Sequence, residues 1–401
     1  MSKIITNEKI IDEFLDRGVI KTILPTKEEF KKVLMSGKKI RIYIGFDATA
    51  NTLHLSHAKN IMLLEEFRKL GHEVILLFGD FTARIGDPSE QEGTRKTFSK
   101  QEVLKNIKDW KIQIKNLMDF NDKKNPPKIL FNSKWLSKMS MEEVLSLASN
   151  ITVGQMIERD MFQKRIKEGK HIYLHEFLYP LMQGYDSVAM DVDVELCGTD
   201  QIFNALMGRT LMRKLKNKDK FVVAVNLMEN PKTGELMSKS RGTGVFLNTK
   251  PREMFGGIMA QPDEMIRVFF INCTKLSIKE IEDILISQNP LNAKKIVAKE
   301  IVKIIFGEKQ AKEAQVNWEN TFSKKEIPED VLEISVSEKI TLRDALVHNK
   351  IISSNNDFRR LITEGAVTNL NTNKKITNIH ETVEGAVYRI GKKRFCKIII
   401  S

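Results

Sequence analysis

The 401-residue sequence lacks long apolar segments and contains only three cysteines. No hydrophobic run approaches the roughly 20 residues that a helix needs to cross a bilayer, so we expect no membrane span. Residues 1–5 are not typical of a secretory leader, because no long apolar stretch follows them. Cys197, Cys273 and Cys396 form no CxxC pair, which argues against a zinc knot or a disulfide framework and fits a reducing, cytoplasmic location.

The sequence also has no internal repeat and no Gly-rich GxxxxGK loop, so it is not a P-loop protein. Basic residues, by contrast, are abundant: 65 lysines and arginines stand against 52 acidic residues, a formal net charge of +13. Such an excess either serves solubility or fits a polyanionic partner. Its distribution favours the partner, because residues 340–401 contain 11 Lys and Arg but only 5 Asp and Glu.

The apolar pattern of the first 80 residues predicts a parallel α/β unit. Alternation predicts a strand over 39–46, helical spacing predicts a helix over 58–70 that ends at Gly71, and an apolar run predicts a buried strand over 73–78. In such sheets ligands bind beyond the carboxyl ends of the strands.

The remaining pattern is mostly helical. Residues 7–37 are predicted to be helical, as are most of 100–190 and 251–325. Short strands are predicted over 128–131 and 221–226.

Two separated motifs indicate a nucleotide site. His54 and His57 stand where the first strand leads into a helix, whose N-terminal N–H groups attract phosphate. Far downstream, residues 236–240 (Leu-Met-Ser-Lys-Ser) supply a cation, Lys239, on a loop. Each motif is weak alone: paired histidines are usually ordinary surface or core residues, and Ser-Lys-Ser is usually a polar turn. A zinc pair is a further alternative, but no third ligand of suitable spacing is visible.

In this order the two motifs resemble the HIGH and KMSKS motifs of class I aminoacyl-tRNA synthetases. Residues 86–89 (GDPS), 179–186 (YPLMQGYD) and 194–201 (VELCGTDQ) resemble the amino-acid site of tyrosyl-tRNA synthetases. The similarity covers about 40–245 and returns over 340–401, which resembles the RNA-binding module shared with the fourth protein of the small ribosomal subunit.

The resemblance implies an α/β fold with a Rossmann-type doubly wound parallel sheet. It implies a catalytic domain over 1–245 with a helical insertion at about 115–190, an α-helical anticodon-arm-binding domain over 246–325, a linker over 326–339 and a small α+β RNA-binding module over 340–401. It also implies a homodimer formed through the insertion, near Trp135 and Met156.

The resemblance further implies a role for each matching residue. Those implied to bind L-tyrosine are Tyr43 and Asp186 at the phenol hydroxyl, Asp87, Tyr179 and Gln183 at the ammonium, and Gln201 near the carboxylate. Those implied to bind ATP are Gly45, Asp47, His54, His57, Gly198, Asp200, Met237, Ser238, Lys239 and Ser240. Those implied to act on the phosphates are Thr49, His54, His57, Arg95 and Lys239, and those implied to contact RNA are Arg359, Arg360, Lys392, Lys393 and Arg394.

The reaction implied is that of a tyrosine–tRNA ligase. The tyrosine carboxylate attacks the α-phosphorus of ATP, pyrophosphate leaves, and the adenylate passes its tyrosyl group to tRNA(Tyr). Because the substrate supplies the nucleophile, the protein contributes positioning and charge stabilisation. Mg²⁺ is expected to accompany the ATP phosphates, and no metal site of the protein's own is expected.

The sequence departs from the family pattern at five positions. Ser56 replaces the glycine of the first motif and Leu236 the first lysine of the second, and three further departures are Ala48, Glu90 and Cys197. These residues leave two alternatives open: an RNA-binding relative with weak or lost adenylation activity, and the tryptophan enzyme. Tyr43, Asp186 and the C-terminal module argue against the tryptophan enzyme.

Overall fold

The computed structural model describes residues 3–87, 98–237, 244–323, 331–337, 340–372, 374–391 and 394–400. By its contacts the chain divides into two compact units, residues 1–311 and 312–401. Each unit has a sheet of its own.

The first unit is built on a six-stranded sheet. Its strands are β1 (Ile20–Leu24), β2 (Arg41–Phe46), β3 (Glu73–Phe78), β4 (Lys128–Phe131), β5 (Val194–Gly198) and β6 (Phe221–Val225), in the order β1-β6-β5-β2-β3-β4. Strands β2 to β6 are parallel to their neighbours, whereas β1 pairs antiparallel with β6 at the edge. The predicted α/β class is confirmed.

The prediction that residues 7–37 are helical was wrong for residues 20–24, which form strand β1. Two helices, α1 (Glu8–Asp16) and α2 (Lys27–Met35), flank β1. The predicted helical spacing lies in α1, where Ile11 and Leu15 are buried, but the segment between the two helices pairs with β6, some 200 residues downstream. A pairing so distant leaves no local signal in a five-residue segment.

The remaining helices before residue 324 belong to the first unit, except that α15 lies mostly in the second unit. They are α3 (Leu55–Lys69), α4 (Lys100–Ile114), α5 (Ser133–Leu136), α6 (Met141–Ala148), α7 (Val153–Ile157), α8 (Asp160–Lys167), α9 (Leu174–Met190), α10 (Ile202–Lys216), α11 (Pro251–Met259), α12 (Met265–Cys273), α13 (Ile278–Ser287), α14 (Pro290–Phe306) and α15 (Glu308–Ser323). Gly71 follows α3 with φ of +99°, as predicted for a left-handed cap. A Cβ there would lie 2.5 Å from the carbonyl oxygen of Lys3, so both space and conformation require glycine.

The strand order creates a switch point between β2 and β5. The chain runs outward from β2 through β3 and β4, then returns to place β5 on the other side of β2. In open parallel sheets the crevice at such a reversal binds the ligand. Short 3₁₀ helices, Thr82–Arg84 and Thr199–Gln201, follow β3 and β5 at this edge.

The second unit is a small α+β structure. It contains β7 (Leu332–Val336), α16 (Leu342–His348), α17 (Asn355–Thr363), β8 (Val367–Asn369), β9 (Lys374–Lys375), β10 (Val387–Ile390) and β11 (Arg394–Ile400). Strand order is β7-β11-β10-β8-β9, with β7 parallel to β11 and the other pairs antiparallel. The range predicted as a linker, 326–339, therefore contains a strand of this sheet.

No helix in the described parts of the chain is both long enough and apolar enough to cross a membrane.

Candidate active site

The two histidines of the first motif cap the N-terminus of α3. The Nδ1 atom of His54 accepts a hydrogen bond from the Ser56 N–H at 3.3 Å, and Nδ1 of His57 accepts one from the His54 N–H at 3.3 Å. Their ring centroids lie 4.1 Å apart. Each imidazole thus satisfies an N–H at the helix start while remaining partly accessible.

This arrangement fixes the protonation of both rings. Burial lowers the pKa of His54 to about 4 and, with the neighbouring His54, that of His57 to about 3. Both rings are therefore neutral at physiological pH. Because each Nδ1 accepts a hydrogen bond, each Nε2 carries the proton and is left to donate. The pair can act as two neutral hydrogen-bond donors beside the positive end of the helix dipole.

The segment that follows the second motif is hydrogen-bonded to the start of α3. The N–H of Leu55 donates to the Val245 carbonyl at 3.0 Å, and that of Leu247 donates to the Leu53 carbonyl at 2.8 Å. Met237 is buried, and its N–H donates to the Met228 carbonyl at 2.8 Å. Predicted site residues Ser238, Lys239 and Ser240 lie outside the described residues, as do Arg95 and the departure at Glu90.

Asp47, immediately after β2, connects the predicted nucleotide and amino-acid residues. Its carboxylate accepts hydrogen bonds from the Tyr179 hydroxyl at 2.9 Å and from the Thr82 hydroxyl at 2.6 Å. Gly79 makes the approach possible, since a Cβ there would lie 1.9 Å from Asp47 Oδ1. A similar close approach occurs after β5, where a Cβ on Gly198 would lie 2.2 Å from Asp200 Oδ1.

Asp186 lies in α9 with only 3% of its surface exposed. Its carboxylate accepts hydrogen bonds from Trp135 Nε1 at 2.7 Å and from Asn132 Nδ2 at 3.3 Å. Burial raises the pKa of Asp186 well above its ordinary value, although the two donors oppose that shift. The sequence analysis assigned neither donor to the site; their position directly after a strand at the carboxyl edge was the available signal.

Tyr43, on β2, is the other residue implied for the phenol, and it is 1% exposed. Its hydroxyl is hydrogen-bonded to the Ser187 hydroxyl at 3.0 Å, so it has a partner different from those of Asp186. Burial raises the pKa of Tyr43 well above its ordinary value, and the charge of Glu195 adds to this. Tyr43 is therefore a neutral phenol in the fold.

The residues implied at the ammonium and carboxylate form a connected chain. Gln201 Nε2 donates to Asp87 Oδ2 at 2.8 Å, and Asn204 Nδ2 donates to Gln201 Oε1 at 2.9 Å and to Gln183 Oε1 at 3.0 Å. Gln183 Nε2 in turn donates to Glu195 at 3.1 Å. Asn204, which the sequence analysis did not single out, is fully buried between the two glutamines.

Other predicted residues lie around this crevice. Gly45 is exposed on β2, and Thr49 is partly exposed beside the histidine turn. Cys197 packs with Ala205, Val222 and Ala224 in an apolar cluster, so its side chain fills the core. Among the described residues, no group of three or more His, Cys, Asp or Glu side chains could hold a metal ion.

The predicted RNA-binding arginines differ in their surroundings. Arg359 and Arg360 are exposed on α17, but Arg360 is paired with Asp357 at 2.7 Å and with Glu364 at 3.1 Å. Arg394 donates to the Ile351 carbonyl at 2.8 Å. Lys392 and Lys393 lie outside the residues that the structure describes.

Comparison with known proteins defines the class first. A family model described as tRNA synthetases class I (W and Y) matches residues 35–323, which include strands β2 to β6, the histidine turn and the buried polar residues around Asp186. The chain belongs to this family of class I aminoacyl-tRNA synthetases.

Similarity to individual relatives then distinguishes the tyrosine enzyme from the tryptophan enzyme. The chain is 39% identical to the tyrosine–tRNA ligase of Carboxydothermus hydrogenoformans, over 96% of this chain and 97% of that protein. It is 38% identical to the tyrosine–tRNA ligase of Aquifex aeolicus, over 93% and 95% of the two chains. Within the family the chain thus belongs to the tyrosine–tRNA ligases, and the predicted resemblance is confirmed.

A solved structure supports the fold independently. A C-terminally truncated mitochondrial tyrosyl-tRNA synthetase of Aspergillus nidulans superposes with a TM-score of 0.65 at 23% identity. The match covers 78% of this chain and 94% of that one.

Proposed function

We propose that the chain binds L-tyrosine in the buried pocket between β2, β5 and α9, activates it with ATP, and transfers it to tRNA(Tyr). The observation that carries this assignment is the buried Asp186 carboxylate, held by Trp135 and Asn132 close to the Tyr43 end of the pocket. An apolar amino acid would leave the remaining acceptor capacity of this buried carboxylate unused, whereas a phenol hydroxyl can donate to it.

The opposite end of the pocket suits an amino acid's charged groups. Asp87, Tyr179 and Gln183 offer oxygen acceptors for the ammonium. Gln201 has an amide that already donates to Asp87 and that can also donate to the substrate carboxylate.

At the histidine turn, the ATP phosphates would receive hydrogen bonds from Nε2 of His54 and His57. Neutral donors stabilise charge that develops on the phosphates without adding a titrating group near neutral pH. Lys239 would supply a cation, since the segment that follows its motif is hydrogen-bonded to the histidine turn through Val245 and Leu247. Mg²⁺ would arrive with ATP, whose phosphate oxygens are the ligands it prefers.

Transfer to tRNA would use the remaining parts of the chain. We assign contact with the anticodon arm to the helices of 246–325 and further phosphate contacts to the basic second unit, where Arg359 is exposed. Basic side chains on one small unit give binding that falls as salt rises.

A homodimer is supported by exposed apolar side chains on the helical insertion. Those most exposed are Met141 at 74%, Leu145 at 63%, Val153 at 64% and Leu174 at 78%. The sequence analysis placed the dimer contact near Trp135 and Met156. Both residues make contacts within the chain, because Trp135 is hydrogen-bonded to Asp186 and Met156 is 2% exposed. A cytoplasmic location is supported by three cysteines that are all free.

Tyrosine-dependent ATP–pyrophosphate exchange, followed by charging of tRNA(Tyr), tests the proposal. We expect exchange with tyrosine and none with tryptophan or phenylalanine. Retained tRNA binding without any exchange at saturating ATP would support the alternative of a relative with lost adenylation activity. Leu236, which is 42% exposed where a lysine is usual, is the observation that favours that alternative.

A further inference from the structure

A buried ion pair lies behind the amino-acid pocket. Lys220, immediately before β6, has 0% exposed surface, and Glu195, on the neighbouring strand β5, has 2%. The Lys220 ammonium donates to Glu195 Oε2 and, at 2.9 Å, to the Ser187 hydroxyl. Neither charge belongs to the residues assigned to substrate, yet burying two charges is costly and calls for a compensating role.

The fold makes room for the pair. A Cβ at Gly208 of α10 would lie 2.5 Å from Lys220 Nζ and 2.8 Å from Ser187 Oγ. Glycine at this position therefore lets α10 pass directly over the ammonium. The same Ser187 hydroxyl bonds Tyr43, so the pair is tied to the wall of the pocket.

Glu195 determines which way the amide of Gln183 is oriented. A carboxylate can only accept, so Gln183 must turn its NH₂ group toward Glu195, as observed at 3.1 Å. The carbonyl oxygen of Gln183 is consequently turned away from Glu195 and accepts from Asn204 at 3.0 Å.

An ammonium group can donate hydrogen bonds but cannot accept them. A glutamine can therefore bind the substrate ammonium only through its carbonyl oxygen. Lys220 maintains this state, because a buried carboxylate without a cation neutralises by taking up a proton and can then donate. A donating or neutral group at 195 would allow Gln183 to present its NH₂ group to the ammonium instead.

We propose that Glu195 and Lys220 are a positioning pair, which fixes the orientation of Gln183 so that its oxygen meets the substrate ammonium. The inference rests on the proposed tyrosine pocket. It adds the ion pair that determines which end of the Gln183 amide faces the substrate. Glu195 and Lys220 themselves do not touch the substrate.

The test uses the full-length double variant Glu195→Gln/Lys220→Met, which removes both charges and leaves neither unpaired. The control is Glu65→Gln/Arg68→Met, which removes another buried ion pair of the first unit, with side chains 8% and 6% exposed; it also removes the pairing of Arg68 with Asp122, whose side chain is 28% exposed. Thermal unfolding is measured for both to compare their effects on stability.

We expect the pocket variant to raise the KM for tyrosine about tenfold, the effect of one misdirected hydrogen bond to a charged group, with the KM for ATP within about twofold of wild type. The inhibition constant of 3-(4-hydroxyphenyl)propionate, which lacks the ammonium, should stay within about twofold. The control variant should change none of these constants.

An unchanged KM for tyrosine would overturn the inference, and so would an equal loss of affinity for the inhibitor, because the pair would then act on packing or on the phenol. Asp186→Ala is measured alongside. If that variant raises the KM for tyrosine while the double variant does not, only the positioning role fails. If Asp186→Ala has no effect, the tyrosine pocket itself is misassigned and the inference falls with it.

Discussion

At the scale of single residues, Asp186 combines burial with two fixed donors. Trp135 and Asn132 come from the segment after β4, whereas Asp186 comes from α9. The carboxylate is thus oriented by a part of the chain 50 residues away, and its remaining capacity to accept is what a phenol hydroxyl would use.

The variant Asp186→Asn tests this role. The amide keeps the shape of the side chain but places an NH₂ group opposite a donor, either Trp135 or the substrate. We expect the KM for tyrosine to rise about 10- to 100-fold, the range for hydrogen bonds to charged groups, with the KM for ATP little changed. Exchange kinetics measure both, and Asp219→Asn, on the surface, is the control. Equal changes in the two constants would contradict the phenol assignment.

The histidine pair predicts a pH dependence of stability. In the fold the pKa is about 4 for His54 and about 3 for His57, against an ordinary value of 6.5. Below pH 6.5 the unfolded chain takes up protons that the folded chain does not, so the free energy of unfolding should fall as pH decreases from about 6.5 to about 4. Urea unfolding at several pH values measures this.

The double variant His54→Gln/His57→Gln should make that part of the profile less steep, and the slope that remains includes His72, whose pKa burial lowers to about 4. The control is His171→Gln, at an exposed position, which should keep the wild-type slope. A double variant with the wild-type slope would mean that other groups cause the acid sensitivity.

At the scale of elements, the turns after β2 and β3 are interlocked. Asp47 follows β2 directly, Thr82 begins the 3₁₀ helix after β3, and their hydrogen bond of 2.6 Å passes close to Gly79. Because Tyr179 of α9 also binds Asp47, three elements meet at one carboxylate. This contact joins residues proposed to bind tyrosine to residues proposed to bind the nucleotide.

Gly79→Ala should break this contact. The added methyl would lie 1.9 Å from Asp47 Oδ1 and 2.3 Å from Thr82 Oγ1, so the carboxylate must move. We expect the exchange rate to fall by about tenfold or more and the melting temperature to decrease. Gly256→Ala is the control: a Cβ there meets nothing within 4 Å in α11, so this variant should be neutral or slightly stabilising. Full activity in Gly79→Ala would show that the Asp47 contact is dispensable.

At the scale of the whole molecule, the two units have separate sheets and separate cores. The second unit buries Phe358, Tyr388 and Ile390 in a cluster of its own. Strand β7 belongs to that sheet, so removal of 340–401 alone would leave a strand without its partner, β11. A clean deletion must begin before residue 331.

A truncated protein that ends at residue 323 should therefore still activate tyrosine but should charge tRNA(Tyr) less well. We expect the exchange rate to stay within about twofold of wild type, since the pocket lies in the first unit. Aminoacylation of tRNA(Tyr) should fall, and tRNA binding should become less sensitive to salt as phosphate contacts disappear. Loss of exchange in a folded truncated protein would assign the second unit a role in activation.

The sequence by itself determined the parts that depend on local order. A continuous apolar run gave β3 with its observed bounds, because a strand buried on both faces needs such a run. The predicted bounds of β4 are also observed, although that strand is only partly buried. Spacing also determined the histidine turn, since a cap and its helix are neighbours along the chain. The motifs led to the tyrosine–tRNA ligase family for the same reason: each is a short segment with its own signature.

Only the tertiary structure decided what surrounds those motifs. The partners of Asp186, the Ser187 contact of Tyr43 and the pairing of Glu195 with Lys220 join residues 25 to 144 positions apart. Likewise, β1 became a strand only by pairing with β6. A hydrogen bond or ion pair across such distances depends on how elements pack, and packing at the carboxyl edge of the sheet leaves no periodic pattern in the sequence.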